Sequence, residues 1–422
     1  MFVLKVFIPV LFLCAIVLLL SFLILFVKAL LIGTGKCLIK INENTQVEVE
    51  SGGTLLDNLL KLGYQIASPC GGKATCHQCK VKVTEGFSDP VEIEKVIFPL
   101  KKIKQGWRLS CQCKVRGDLK VVIDASAMNA KRFKAKVISN ENVATFIKEL
   151  CVEIPKDINL GYVPGDYLQV HLPLFSTNTL EWKSQMDKKF HGDWEKLNLF
   201  DKKIEFNEQG VSRAYSLASH KGEGQILKFT VRIATAPLKN GAVDPKIPWG
   251  VGSSYLFSLN AGDLVEFSGP YGESHMIEND KQLFFVIGGA GASFARAHIL
   301  DLFLNKNTKR KVSLWYGARS LKENIYQSEF EDLAKKYPNF SYHLVLSEPE
   351  EADIKGGWPK DDRLKTGFAC NAFIEGELKA MENAEENLYY VCGPPMHNKM
   401  VIQALYDFGV EKESIILDDF GN

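Results

Sequence analysis

Hydrophobic positions follow four different rhythms along this chain. From Val6 to Val27 there are 22 residues without a charge, mostly Leu, Ile, Val and Phe, between Lys5 and Lys28. A run of that length matches one helix through a bilayer core of about 30 Å. The apolar region of a cleaved signal peptide normally covers only about 7–15 residues. Next, Lys36–Ile41 and Gln46–Val49 alternate as a strand pair around the turn-forming N-E-N. T-L-L-D-N-L-L-K-L (54–62) has helical spacing and ends at Gly63, while C-K-V-K-V and Leu119–Ile123 read as further strands. Lys131–Lys136 opens a third region in which strands dominate to about residue 275. Turn signals recur there at P-G-D (164–166), A-G-D (261–263) and G-P-Y-G (269–272), as in an all-β barrel. The polar, charge-rich stretch 176–210 interrupts that rhythm and reads as an insertion or a partner-facing loop.

From Gln282 the pattern changes again. L-F-F-V-I (283–287) is a continuous apolar strand, followed by G-G-A-G-A-S and the helical F-A-R-A-H-I-L-D-L-F-L. The strands V-S-L-W-Y, F-S-Y-H-L-V-L and L-Y-Y-V-C alternate with helical stretches at Glu329–Lys336 and Met396–Phe408, and S-I-I-L closes the series. Apolar strands alternating with helices predict a parallel, doubly wound sheet. The chain is thus expected to be multidomain α+β and α/β. Its divisions are an N-terminal transmembrane anchor over 1–30 (span about 6–27), a small sheet domain over 35–128, an antiparallel β-barrel over 130–275 and an α/β domain over 280–422.

Composition narrows the function mainly by exclusion. Lys and Arg total 51 against 50 Asp and Glu in 422 residues, for a net charge of +1. With no basic stripe interleaved with aromatics, nothing points to a nucleic-acid partner. Ten cysteines are too few for a disulfide scaffold, and Cys14, Cys37, Cys151 and Cys370 read as ordinary reduced thiols. The apolar run holds no ionisable residue and so offers no ion path; ion transport would run through partner subunits. Lys28, Lys36 and Lys40 follow the run, against Lys5 and the α-amine before it. That slight bias places the bulk of the chain on the cytoplasmic side.

The remaining cysteines carry chemistry. Cys70, Cys76, Cys79 and Cys111 are spaced C-x5-C-x2-C-x31-C, three of them in the loop S-P-C-G-G-K-A-T-C-H-Q-C. Three close thiolates and a distant fourth are the donor set of a [2Fe–2S] cluster, here with one residue more than the plant-type C-x4-C-x2-C. Gly71, Gly72 and Ala74 allow backbone N–H groups to turn towards the sulfurs. A structural zinc site is the rival reading, but such sites usually combine two close pairs, and only one pair here has that form. Cys113 is surplus to four ligands and reads as a packing or loop residue.

Two further groups of motifs suit larger cofactors. In R-A-Y-S (213–216), Arg213 can neutralise a diphosphate, Tyr215 can stack on a flavin ring and Ser216 can hydrogen-bond its edge. G-V-G-S-S-Y-L (250–256) is a glycine turn opening a helix, with Gly250, Gly252 and Ser253 placed to meet a diphosphate through backbone N–H groups. Ala214 and Arg232 join the candidate cofactor contacts. Gly288, Gly289 and Gly291 form a bare turn after a buried strand. Cys392, Gly393 and Pro394 end a later strand of the same sheet, where open α/β sheets bind ligand.

R-x-Y-S, G-x-x-S, G-P-x-G, G-G-x-G and C-G-P-P, in that order, resemble the ferredoxin–NADP reductase superfamily. With an N-terminal helix and a β-grasp ferredoxin domain before them, and with Y-G-A-R-S (316–320) and a terminal L-D-D-F-G, the whole chain resembles the family of F subunits of sodium-translocating NADH:quinone reductases. The resemblance implies FAD in the barrel, NADH on the α/β sheet with Cys392 near the nicotinamide, and Phe420 covering the flavin face opposite Tyr215. It implies Ser216, Cys392 and Phe420 as the catalytic set. Asp418 and Asp419 are close enough in sequence to enter the site, in no assigned role. Arg319 is a candidate nucleotide contact, of a charge suited to a 2′-phosphate. Ala292-Ser293-Phe294 stands where related reductases carry Pro, Thr or another small residue, and the bulk of Phe294 puts NADH affinity in question. The expected partners are NADH, other integral membrane subunits and, indirectly, quinone, at a bacterial inner membrane. The competing readings are the reductase component of an oxygenase and a membrane-tethered electron carrier.

Overall fold

The computed structural model describes residues 2–31, 35–86, 89–124, 127–128, 130–239, 242–244, 246–359 and 367–419. Its contacts divide the chain into two units, Met1–Asn129 and Ala130–Asn422.

The first unit begins with a helix over Phe2–Leu31. Among the described residues no helix is long and apolar enough to cross a membrane; within Phe2–Leu31 the described side chains are those of 11–23 and 26–27. A mixed sheet follows, built from β1 (Lys36–Ile41), β2 (Thr45–Glu50), β3 (Lys80–Glu85), β4 (Trp107–Leu109) and β5 (Leu119–Val122) in the order β2–β1–β5–β3–β4. The N-E-N turn joins β1 to β2 with Asn42 and Glu43 both left-handed (φ 47° and 64°), as a tight hairpin requires. Thr54 caps the helix Leu55–Lys61 by accepting the Asp57 N–H at 3.0 Å, a cap worth about 1 kcal/mol. That helix buries Leu55, Leu56 and Leu59 against Ile39, Val81 and Val121 of the sheet.

The second unit holds two sheets. β6 (Lys131–Ala144), β7 (Ile147–Glu153), β8 (Tyr167–His171), β11 (Ser212–Ser216), β12 (Ile226–Arg232) and β15 (Leu264–Tyr271) form an antiparallel sheet in the order β11–β8–β15–β6–β7–β12. Two small ribbons, β9 (Phe175–Asn178) with β10 (Lys203–Phe206) and β13 (Leu238–Lys239) with β14 (Ala242–Val243), flank it. The Ala218 N–H, just beyond β11, donates to Lys228 O on β12 at 2.8 Å, so the first and last strands meet and the sheet rolls towards a barrel.

The stretch 176–210 is an ordered insertion rather than a loop. It folds into the β9–β10 ribbon and the helices Thr179–Gln185 and His191–Lys196, and it buries Trp182, Phe190 and Trp194 in the barrel core. Trp182 packs on Phe257 with ring centroids 5.5 Å apart, and the Trp194 Nε1–H donates to Thr145 O at 2.7 Å. Its charged residues form the outer surface of helices whose aromatic faces point inward. The insertion therefore props up the helix Val251–Ser258, to which Phe257 belongs.

The other sheet is wholly parallel: β16 (Leu283–Gly288), β17 (Val312–Ala318), β18 (Phe340–Leu346), β19 (Leu388–Cys392) and β20 (Ile415–Leu417), in the order β18–β17–β16–β19–β20. Strand alternation splits its core in two. Phe285, Ile287 and Tyr390 meet the helices Ala292–Leu300 and Gln327–Lys336 on one face. Phe284, Val286 and Tyr389 meet Ala369–Gly376 and Pro395–Asp407 on the other. Covering both faces explains why the central strands β16 and β19 are apolar throughout.

Candidate cofactor and hydride-transfer sites

The cluster loop folds around its sulfurs. Gly71, Gly72, Ala74 and His77 all have positive φ, 57° to 83°, and for Ala74 and His77 that conformation carries strain. The resulting turn directs backbone N–H groups of Thr75 and Cys76 at the Cys70 sulfur and that of Gln78 at Cys76. The sulfurs come in two pairs. Cys76 Sγ lies 3.3 Å from Cys70 Sγ, and Cys79 is in hydrogen-bond contact with Cys111. Within each pair one thiol is held down by the other's hydrogen bond, Cys70 to about 4 and Cys111 to about 7, and the partner is pushed up. A Cβ on Gly72 would lie 3.8 Å from Cys111 Cβ, which brings the distant fourth cysteine against the loop. Among the described residues no three His, Cys, Asp or Glu side chains are arranged around a single ion. Two thiol pairs are instead the donor set for two irons, so the residues fit a [2Fe–2S] group.

The barrel brings R-A-Y-S and G-V-G-S together. Arg213 and Tyr215 share one face of β11, with Ala214 turned to the other. Gly250 caps the helix Val251–Ser258 without a side-chain bond, which leaves first-turn N–H groups for an anion. A Cβ on Gly252 would lie 2.7 Å from Arg213 Cγ and 2.9 Å from Tyr215 Oη, so only glycine lets the helix start this close. The Ser253 hydroxyl is engaged in the turn itself, donating to Gly250 O at 2.9 Å and accepting from the Ala234 N–H at 3.0 Å. The arrangement fits a diphosphate beside an aromatic platform. Arg232, at the exposed end of β12, has Arg319 and Glu323 as its charged neighbours.

The two glycine-rich motifs of the parallel sheet also meet. Ile287 and Cys392 are in register on neighbouring strands. A Cβ on Gly291 would lie 2.5 Å from Cys392 O and 3.1 Å from its Sγ, and one on Gly288 would lie 3.4 Å from Pro394 Cδ. Pro394 opens the helix Pro395–Asp407, and Gly393 has room only for hydrogen beside the His397 ring at 2.7 Å. Phe294 does not crowd this turn. It is 1% exposed and packs inward, 4.5 Å from the His298 ring and 6.2 Å from that of Tyr390. Arg319 Nη2 is paired with Asp193 at 2.7 Å and Glu323 at 3.4 Å, with its guanidinium over the Phe146 ring.

Asp418 connects the two halves. Its N–H donates to Val391 O at 3.1 Å, and its Oδ2 accepts a hydrogen bond from Ser216 Oγ at 3.0 Å. Desolvation pushes its carboxyl up to about 6, opposed by the Ser216 bond. Burial pushes the Cys392 thiol up, and the charges of Asp418 and Asp419 push it the same way. Ser216 is hydrogen-bonded to Asp418, and Asp418 is hydrogen-bonded beside Cys392 at the end of β19, so the ends of β11, β19 and β20 come together. Motif reading left Asp418 unassigned, and its place one residue beyond the last apolar strand was the available signal. Phe420 lies outside the described residues.

Similarity to known proteins follows the same divisions. Residues 39–116 match a 2Fe-2S iron-sulfur cluster binding domain, 198–276 an oxidoreductase FAD-binding domain and 285–402 an oxidoreductase NAD-binding domain. Fold and sites together define an oxidoreductase that binds FAD, NAD and a [2Fe–2S] cluster. The chain is 52% identical over 414 residues, 97% of its length and 96% of the relative's, to the F subunit of the Na(+)-translocating NADH-quinone reductase of Chlamydia felis. It is 41% identical to the F subunit of the same enzyme from Marinomonas sp. over 99% of both chains. It belongs to the family of F subunits of Na(+)-translocating NADH-quinone reductases. The Amycolatopsis cytochrome P450 reductase GcoB shares its fold, with a TM-score of 0.61 and 21% identity over 91% of this chain and 98% of that one.

Proposed function

We propose that this chain is the electron-input subunit of a membrane NADH:quinone reductase, with NADH and FAD bound by a barrel over 130–275 and an α/β domain over 280–422, and the cluster in a domain over 35–128. Bound FAD supplies the conversion of a hydride's electron pair into single electrons, which suit a [2Fe–2S] cluster. Cys70, Cys76, Cys79 and Cys111 hold the cluster. Arg213 and the N–H groups following Gly250 hold the FAD diphosphate, and Tyr215 supports the flavin ring. The N–H groups and bare surfaces of Gly288, Gly289, Gly291, Gly393 and Pro394 admit the nucleotide, and Cys392 bounds the nicotinamide. Ser216 hydrogen-bonds the flavin edge, and Asp418 orients its hydroxyl. Phe420 covers the opposite flavin face, while Ala214, Arg232 and Arg319 flank the cofactors.

The observation that carries this reading is the meeting of Ser216, Cys392 and Asp418 at the carboxyl ends of the strands, where hydride donor and acceptor must come into near contact. The 22-residue apolar run spans the membrane once, with the chain after it on the cytoplasmic side, and electrons pass on through other membrane subunits to quinone. Sodium coupling resides in those subunits, because the run has no ionisable residue. NADH-driven quinone reduction in native membranes, with and without this chain and across a sodium series, tests the reading. Chain-dependent activity that rises with sodium is expected. Chain-dependent NADH oxidation indifferent to sodium would overturn the sodium-pump assignment and leave the reductase.

A further inference from the structure

We infer that Arg296 is the positioning residue that keys the nicotinamide sheet to the flavin barrel and so sets the alignment for hydride transfer. Arg296 lies in the helix that begins on the G-G-A-G turn, five residues beyond Gly291, and is 3% exposed. Its apolar helix neighbours, Phe294, Ala295 and Ile299, face their own sheet. Arg296 instead reaches the barrel. Nη1 and Nη2 donate to the two Glu223 carboxylate oxygens, each at 2.9 Å, and Nη1 also donates to Ala218 O at 2.8 Å. Nε donates to Glu329 Oε2 at 2.9 Å, and the guanidinium lies 5.0 Å from the Tyr326 ring centroid.

What it grips explains the consequence. Ala218 is two residues beyond Ser216, and Glu223 accepts the His220 N–H at 3.1 Å, so the gripped segment continues directly from the proposed hydride site. One rigid fork thus joins the nucleotide turn to the strand end that carries Ser216. A bidentate pair fixes both distance and angle, which apolar contact alone does not. Lys228 Nζ, 3.1 Å from Glu223, balances the charges: Arg296 and Lys228 against Glu223 and Glu329. Burial would raise the Glu223 carboxyl, but the bonds and charge of Arg296, aided by Lys228, hold it down at about 2, so the pair is ionised at any working pH. Two weaker ties run alongside, Thr230 Oγ1 to Ala290 O at 3.0 Å and Asn305 to His220 at 3.1 Å.

This inference rests on the proposed NADH-to-FAD reading, and NADH bleaching of the wild-type flavin checks that reading separately. The test uses full-length chain in detergent, loaded with FAD and cluster, mixed anaerobically with NADH in a stopped flow. Arg296→Met should slow flavin reduction about 100-fold, change NADH affinity by less than about threefold and abolish the long-wavelength absorbance of NADH stacked on flavin. Deuterium exchange at the 217–223 amides should rise while FAD and cluster content hold. Arg296→Lys should recover no more than about a tenth of the rate, since an ammonium cannot make the fork. If Arg296→Met loses FAD, the isosteric Glu223→Gln replaces it and should slow reduction about tenfold. A wild-type rate and absorbance in the loaded variant would overturn the inference. So would rate losses that merely track lost FAD in both variants.

Discussion

The cluster loop and the proposed hydride site are assembled by opposite routes. Three of the four cluster cysteines lie within ten consecutive residues, 70–79, and the loop's own positive-φ backbone aims N–H groups at their sulfurs. At the proposed hydride site, Ser216, Cys392 and Asp418 come from the ends of three strands of two sheets, and only the fold brings Ser216 to the other two. A local loop can be damaged residue by residue. An assembled site can also be damaged by anything that shifts one sheet against the other.

The largest expected effect lies in the loop. Cys79→Ser should remove the iron–sulfur absorbance and the paramagnetic signal of the reduced protein, and quinone reduction should fall to background, while NADH still bleaches the flavin. A retained cluster signal would show that Cys79 is not a ligand. Next come the close approaches of the assembled site. Gly291→Val would push a side chain into Cys392 O, 2.5 Å from its Cβ, an overpacking cost of about 1–3 kcal/mol, or about 5- to 150-fold in NADH affinity. Titration of NADH against flavin fluorescence measures it, and cluster absorbance should stay unchanged.

Ser216→Ala sharpens the comparison further. It should slow flavin reduction about 10- to 100-fold with FAD still bound, as expected for one hydrogen bond acting at the reacting edge. A normal stopped-flow rate would remove Ser216 from the hydride step. The smallest effect is a pH dependence. The fold raises the Asp418 carboxyl from 3.8 to about 6, so its contribution to stability is full below about 3.8 and is lost as pH rises through about 6. Flavin reduction should therefore change slope near pH 6, by a few-fold, and Asp418→Asn should flatten that change. A flat wild-type profile from pH 5 to 7 would dissociate Asp418 from the reaction.

Much of this architecture was legible beforehand because period and punctuation are local. The hairpin at N-E-N, the helix ending at Gly63, the buried strand L-F-F-V-I and the helix after C-G-P-P all declare themselves within a dozen residues. The stretch 176–210 misled for a physical reason. Helices that are apolar on one face carry enough Lys, Glu and Asp on the other to look like a solvated loop, and only packing shows that Trp182 and Trp194 point inward. Phe294 misled similarly: its place next to the glycine turn gave no direction, and the helix turns it into the core.

By itself, then, the sequence determined the elements, the proposed cluster donors and the glycine turns, because spacing along a chain dictates which side chains a helix, strand or loop presents. Only the tertiary structure decided which turns meet: Gly252 against Arg213, Gly291 against Cys392, Asp418 against Ser216, and Arg296 between the two sheets. Those contacts join residues up to 202 positions apart. Strand order and sheet register bring them together, and no local pattern encodes either.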